Sequence, residues 1–272
     1  MTAKRSESIL KIISTTRFSM RVSIITPSFN SASTIADCIA SVCNQSCPDL
    51  EHIIIDGASG DDTLKIIESI PNRVTRIVSE RDSGIYSALN KGIELAEGDI
   101  IGLLHTDDKF ASDTIIEQVQ KLFLEKNADI VYGDLTYVSR VNGHKPVRYW
   151  KSRPFEQSLL SKGWMPAHPS MFIKRDVYKR YGLFDLNYHI SSDYDLILRF
   201  LQQSDLRVEY LPVLVTKMKT GGASNGSIRN IIRKSSEDYL IIRKHHLPHP
   251  LLVLAGKNFG KLNQFFIKER IQ

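Results

Sequence analysis

The chain has 272 residues, 42% of them apolar and 24% charged. That is ordinary for a soluble globular protein, and the length is enough for one large α/β domain or two small ones, so no metal or disulfide staple is needed. No run approaches the roughly 18 apolar residues of a membrane span, and residues 1–20 hold no signal-peptide core, only Ile9-Leu10 and Ile12-Ile13, which form a short helix or lie disordered. Cys38, Cys43 and Cys47 make no C-x-x-C pair and have no His at zinc-finger spacing. Reduced thiols and a cytoplasmic location are therefore expected.

The net charge of +6 is uneven. Residues 229–272 hold nine Lys/Arg against three Asp/Glu, a balance of +6, so residues 1–228 carry 27 of each sign and sum to zero. A basic tail matches an anionic membrane surface, a lipid-linked phosphate or nucleic acid; a solvated helical face is the plainer alternative.

In chain order, Val22 to Thr26 reads as a strand ending in the turn Pro27-Ser28-Phe29-Asn30. Ser33 is the expected cap of a helix with Ile35, Ile39 and Val42 on one face, stopped by Pro48. Leu50 to Ile55 is the second strand, and Asp61 or Asp62 caps the helix through Ile66, Ile67 and Ile70. Val74 to Val78 is a strand, Gly84 to Ala96 a helix, Ile100 to Leu104 a strand, Asp113 to Leu124 a helix, and Ile130 to Gly133 a fifth strand. Strands alternating with helices predict a mostly parallel sheet covered on both faces.

After Asp134 the rhythm changes. Tyr137-Val138 and Val147 to Trp150 flank Asn142-Gly143, a hairpin signal. Met171 to Ile173, a helix from Asp193 to Gln202, a strand at Arg207 to Leu211 and an extended run from Val213 to Lys219 follow. The expected organisation is an N-terminal extension (1–20), a nucleotide-binding half (21–134), a mixed acceptor half of the same domain (135–227) and a basic helical tail (228–272).

The chemistry concentrates in carboxylates. Asp56 ends the second strand, Asp107-Asp108 follow the fourth, and Asp193 and Asp195 open a helix. In open α/β sheets ligands bind outside the carboxyl ends of the strands. Carboxylates there suit a divalent cation with a phosphorylated ligand, and the third site can supply a base.

Five stretches, Val22–Asn30, Ile55–Asp62, Glu80–Gly92, Gly98–Asp108 and Ser191–Asp195, together resemble family 2 glycosyltransferases of the GT-A fold, over about residues 20–225. The look is closest to bacterial members that build exopolysaccharides and O-antigens, including the colanic-acid type. The resemblance implies an inverting, metal-dependent transfer of a hexose from a UDP-sugar to a lipid-linked oligosaccharide or other glycan, forming a β-linkage. It puts Thr26, Pro27 and Phe29 at the nucleotide, with Phe29 stacked on uracil or packed under a turn. Asp56 would accept from the base N–H, the alternative being a helix cap. Asp82, Asn90 and Lys91 would shape the donor pocket near a helix N-terminus.

Asp107 is the expected ligand of Mn²⁺ or Mg²⁺. The family commonly shows Asp-x-Asp here; this chain has His105-Thr106-Asp107 followed by Asp108, so the first carboxylate is missing and either metal affinity is reduced or His105 contacts the ribose, His105 being more tolerant of Mn²⁺ than of Mg²⁺. Asp193 aligns with the base, a swap with Asp195 being the alternative. His168 approaches the metal or diphosphate, or is structural; Trp164 walls the acceptor sugar, or is core. Gly221-Gly222-Ala223-Ser224 is a closing loop or a plain connector.

The basic tail, with Leu251 to Leu254, Phe259, Phe265 and Phe266, is expected to rest on the inner membrane leaflet. A sugar-nucleotide nucleotidyltransferase is disfavoured, because Pro27–Asn30 replaces the Gly-rich basic loop such enzymes carry after the first strand. A nucleic-acid-binding protein lacks a recognition motif, so no nucleic-acid partner is expected.

Overall fold

The computed structural model describes residues 20–140, 145–221, 228–260 and 264. The Ile9–Ile13 segment, the Asn142-Gly143 turn, most of the Gly221–Ser224 loop and Phe265-Phe266 lie outside them. The elements are β1 (Val22–Ser28), α1 (Ile35–Cys43), β2 (Leu50–Asp56), α2 (Thr63–Ser69), β3 (Val74–Ser79), α3 (Ile85–Leu95), β4 (Ile100–Leu103), β5 (Asp108–Phe110), α4 (Ile115–Lys126), β6 (Ile130–Val138), β7 (Pro146–Trp150), β8 (Met171–Lys174), α5 (Arg175–Tyr181), α6 (Ser192–Leu201), β9 (Val208–Lys219), α7 (Ile228–Lys244) and α8 (Pro250–Phe259). Two 3₁₀ turns, Gln157–Lys162 and His168–Ser170, precede β8.

Among the described residues the strands form one sheet in the order β3-β2-β1-β4-β8-β6-β9-β5, with β7 paired to β6. The first four are mutually parallel, and β6 and β9 are parallel to each other. The α/β alternation is therefore as read, but β8 enters antiparallel between β4 and β6. The short run Met171 to Ile173 carries no directional signal of its own.

Alternation along each strand separates two cores. Ile25, Ile53, Ile55, Ile101 and Leu103 pack with Leu89 and Ile93 of α3, Leu196 to Leu198 of α6, Ile241-Ile242 of α7 and Val253 of α8. Ile24 and Ile100 face the other way, against Cys38 and Val42 of α1 and Ile116, Val119 and Phe123 of α4. Both faces are apolar because both are covered. The three cysteines are free, with Cys38 and Cys47 buried.

Several boundaries shift for identifiable reasons. The α1 cap position is Thr34 rather than Ser33, and the carbonyl of Ser31 takes the amides of Thr34 and Ile35. Asp62 occupies the α2 cap position, yet Asp61 accepts from the Thr63 amide at 3.0 Å. α4 begins two residues later than read, and β6 runs on to Val138 because β7 and β9 both pair with it. The two extended runs around Pro212 are one strand, β9; the register with β6 slips between Tyr132↔Tyr210 and Asp134↔Leu214, which absorbs the proline's missing N–H.

α8 docks tightly on the first 3₁₀ turn. A Cβ on Gly256 would lie 2.3 Å from the Lys162 carbonyl, and one on Gly163, at φ +73°, would lie 2.2 Å from the Val253 carbonyl. Only glycine at both positions allows that approach. Among the described residues no helix is long and apolar enough to cross a membrane.

Candidate active site

Because β1, β2 and β4 are parallel neighbours, with Ser28 opposite Asp56 and Ile25 opposite Leu103, their carboxyl-end loops emerge side by side. Phe29 leaves β1 and is 64% exposed, with Asn30 in the left-handed region. Behind Phe29 lies Gly57: a Cβ there would meet Asp82 Oδ2 at 3.0 Å and the Phe29 ring at 3.3 Å. Phe29 and Asp82 thus flank one narrow floor. Asp82 also accepts from the Gly84 amide at 2.9 Å, fixing the entry to α3.

Asp56 is fully buried and heavily used. It accepts from the Ser59 amide at 2.9 Å, the Ser59 hydroxyl at 2.5 Å and the Ser79 hydroxyl at 2.7 Å. These bonds hold the turn in which Ala58 sits at φ +61°. A left-handed alanine costs about 1–2 kcal/mol, whereas each hydrogen bond to a charged group contributes about 1.5–3 kcal/mol, so the carboxylate outweighs the strain. Asn30 joins the same knot: its amide donates to the Ser59 hydroxyl at 2.8 Å, and its side-chain oxygen accepts from the Gly60 amide at 2.9 Å.

After β4 come Leu104, His105, Thr106 and Asp107. The Thr106 and Ser31 hydroxyls lie 3.0 Å apart, tying this loop to the one after β1. Asp107 is partly exposed, and among the described residues Arg140 pairs with it at 3.8 Å. Asp108 is different: it is 1% exposed and opens β5, and neither carboxylate oxygen makes a well-formed hydrogen bond among the described residues. Burial, with the neighbouring charge of Asp107, pushes its pKa well above the usual carboxylate range.

A line of rings connects this loop to the N-terminus of α6. His105 and His168 lie 5.6 Å apart, the His168 ring stands edge-on to Phe184 at 6.3 Å, and Phe184 stacks on Tyr86 at 5.3 Å. The Tyr86 hydroxyl donates to the Ile190 carbonyl at 2.6 Å, three residues before Asp193. Burial lowers the pKa of His105 to about 3 and also lowers that of His168, where the field of Asp193 opposes it. Burial thus disfavours the charged form of both imidazoles, and a neutral ring can present a lone pair. His168 Nε2 is buried and has no hydrogen-bond partner among the described residues. Asp193 is half-buried; its Oδ1 accepts from the Tyr194 amide at 2.8 Å, and no other donor reaches the carboxylate among the described residues.

Several of the sequence-derived side chains are engaged by the protein itself. Thr26 is buried, with its hydroxyl 2.9 Å from His52 Nε2, because an inward position on β1 points it under α1. Asn90 spends both ends of its amide on the Phe184 backbone, at 2.9 Å each, so it holds the ring line rather than a ligand. Lys91 is paired with Glu80. Asp195 is fully buried and held by Arg199, Lys244 and His245, which corrects the alternative that exchanged it with Asp193. Burial alone would raise its pKa, but these partners outweigh it and hold the carboxyl well below the usual range. Pro27 is a buried strand residue, and Trp164 packs between Tyr132 and Phe155.

Sequence reasoning missed Arg140, Ser31, Tyr86 and Phe184. None has a local signal, since each acts through a partner far along the chain. Among the described residues no three His, Cys, Asp or Glu side chains gather as a complete metal cage. A Mg²⁺ or Mn²⁺ bound with a diphosphate needs only one or two protein ligands; the partly exposed Asp107 carboxylate and His168 Nε2, which has no hydrogen-bond partner among the described residues, are the groups here that could serve.

The model of glycosyl transferase family 2 matches residues 23–182. The chain belongs to this family. It is 30% identical over 208 residues to a PGL/p-HBAD biosynthesis glycosyltransferase of Mycobacterium bovis, covering 75% of this chain and 78% of that one. It is 39% identical over 102 residues to the putative teichuronic acid biosynthesis glycosyltransferase TuaG of Bacillus subtilis, 36% of this chain and 40% of the other. In fold it is similar to residues 1–349 of S. aureus TarS in complex with UDP-GlcNAc, with a TM-score of 0.64 and 15% identity over 88% of this chain and 72% of that one. Of the longer TarS chain it covers 44%. It is also similar to the mannosyltransferase PcManGT of Pyrobaculum calidifontis in complex with GDP-Man and Mn²⁺, with a TM-score of 0.60 and 21% identity over 89% and 70% of the two chains. The GT-A fold and glycosyltransferase activity follow, and the nucleotidyltransferase and nucleic-acid-binding alternatives fall away.

Proposed function

We propose that this glycosyltransferase is an inverting, metal-dependent hexosyltransferase. It moves a hexose from a UDP-sugar to a lipid-linked oligosaccharide or other glycan in cell-surface polysaccharide synthesis. The observation that carries the reading is the line of rings His105, His168, Phe184 and Tyr86 that links the Asp107 loop at the sheet edge to the start of α6, where Asp193 is half-buried. The UDP-GlcNAc complex of TarS supports a UDP donor, the PcManGT complex supports Mn²⁺, and the teichuronic acid name of TuaG supports a cell-surface product.

In this reading Phe29 stacks on uracil, while Asp56 and Asp82 shape the nucleotide floor around Gly57. Asp193 takes the proton of the acceptor hydroxyl as that oxygen attacks C1. The C1–oxygen bond to the diphosphate breaks on the opposite face, and UDP leaves with the electron pair. Asp107 and His168, with His105 behind them, are the residues that would hold Mn²⁺ or Mg²⁺, which when bound neutralises charge on the departing diphosphate. Arg140 supplies a further cation beside Asp107. Trp164 lies on the acceptor side.

The outer face of α7 and α8 exposes Ile231, Ile232, Leu251, Leu252 and Phe259, with Arg229 and Arg243 also exposed. That combination supports peripheral contact with an anionic membrane, on the cytoplasmic side where a nucleotide sugar is present.

The test is binding and slow hydrolysis of UDP-, GDP- and dTDP-sugars with Mn²⁺, Mg²⁺ or EDTA. The expected outcome is metal-dependent turnover of one UDP-sugar, with donor binding lost in Asp107→Ala. Turnover that is unchanged in EDTA, or that uses only a GDP- or dTDP-sugar, overturns the metal or the donor assignment.

A further inference from the structure

The C-terminal helices carry an acidic residue aimed at the active-site helix. Three successive backbone amides, those of His189, Ile190 and Ser191, donate to the single carboxylate of Glu237, at 3.1, 2.9 and 2.9 Å. These residues lead into α6, which opens at Ser192, and Asp193 is its second residue. Glu237 is 8% exposed, and Arg233 pairs at 3.3 Å with Oε1, the oxygen that also accepts from the His189 amide. No other element supplies these amides with a partner among the described residues.

The next residue of α7 underpins the same helix. Asp238 is fully buried and forms ion pairs with Lys257 of α8 at 2.5 Å and Lys234 at 3.0 Å. The Lys257 ammonium sits 3.8 Å from the centre of the Tyr194 ring, directly after Asp193. Lys257 is itself held in place by the Gly163–Gly256 contact, since the Gly163 position meets the Lys257 backbone nitrogen. The segment leading to Asp193 and the ring after it are thus both fixed from the C-terminal helices.

We infer that Glu237 is a positioning residue for the catalytic base, so that α7 and α8 belong to the active site rather than forming a detachable basic tail. This rests on the reading of Asp193 as that base. A carboxylate holding three consecutive amides fixes both the direction and the depth at which α6 begins. An error of about 1 Å in a reacting group can cost on the order of 10²-fold in rate.

The experiment uses the full chain and the variants Glu237→Ala, Glu237→Gln and Asp193→Asn. Amide hydrogen exchange is followed at residues 189–193, and hydrolysis of the UDP-sugar donor is followed with Mn²⁺. The inference expects faster exchange at residues 189–191 in Glu237→Ala and a fall in kcat of about 10²-fold, with donor Kd within about twofold of the parent. Glu237→Gln, which keeps one acceptor oxygen, should recover part of both effects. Wild-type exchange in Glu237→Ala overturns the positioning role, as does wild-type kcat in Glu237→Ala when Asp193→Asn is inactive. If Asp193→Asn itself turns over normally, the reading of the base has failed, and the inference falls for that separate reason. A purely structural role would lower donor affinity and kcat together, in proportion to the folded fraction.

Discussion

Asp193 and Asp195 stand two residues apart on α6, yet they live in opposite worlds. Asp193 is half-buried at the cleft, with a single backbone donor on its carboxylate. Asp195 is fully buried and surrounded by Arg199, Lys244 and His245. The contrast extends to the whole molecule. At the sheet edge, Asp107 has only Arg140 at 3.8 Å and His168 Nε2 has no hydrogen-bond partner among the described residues, whereas beneath α6 the charges of Asp195, Glu237, Asp238 and Lys257 are all matched. Unspent hydrogen-bonding capacity at a cleft is what a ligand can use, and buried matched charge is what fixes a fold. The basic tail has to be reread in that light. Arg233, Lys234, Lys244 and Lys257 all face acidic partners, so much of its positive charge is matched within the molecule.

The widest separation of the two carboxylates comes from replacing each by asparagine. Asp193→Asn should lower turnover by about 10²–10⁴-fold, the share of a general base, while leaving the denaturant midpoint and the donor Kd close to the parent. Asp195→Asn should do the reverse. Losing one partner of a buried ion cluster costs about 3–5 kcal/mol, which a urea titration would register. The acid side adds a second signature. The folded pKa of Asp195 is depressed below its ordinary 3.8, so its contribution is fully present above that value and is lost as pH falls through the folded one. The parent should therefore lose stability more steeply below about pH 4 than Asp195→Asn does. Equal acid limbs in the two proteins would show that Asp195 is not held by its cationic neighbours.

Legibility in the sequence follows the same division. Isoleucine-rich runs followed by amphipathic helices revealed β1 to β4 and their helices, because burial on both faces of a parallel sheet leaves a local trace. The carboxyl edge, and with it His105 to Asp107, followed from those strands. What stayed hidden depends on distance along the chain. Asp193-Tyr194-Asp195 reads as two equivalent acids; the arrival of Lys244, the last residue of α7, and of His245 just after it makes one of them inert. Thr26, at the end of the first strand, looks like a nucleotide contact until His52 and Cys38 are seen beside it. Glu237 holds amides 46 to 48 residues away. One signal was available: Glu237-Asp238 and Ile241-Ile242 are four apart, so acids and core residues share one face of α7. Acids on the apolar face of a helix are aimed inward and need partners there.

The smallest expected effect lies at the most exposed point of the cleft. Phe29 is 64% exposed and rests over Gly57 and Asp82, so its ring has one free face. Stacking on a base contributes about 1–3 kcal/mol, and a solvent-exposed ring belongs at the lower end. Phe29→Ala should weaken UDP binding by about fivefold, read by calorimetry with Mn²⁺ present, and Phe29→Trp should restore it. Stability should change little, because the ring covers almost no core. The effect must also be confined to binding, since a stack on the base is the same before and during transfer and so acts on affinity rather than on kcat. An unchanged Kd in Phe29→Ala would remove the ring from the nucleotide site. A fall in kcat without a change in Kd would place it against the acceptor instead, and would move the donor floor toward Asp82 and Gly57 alone.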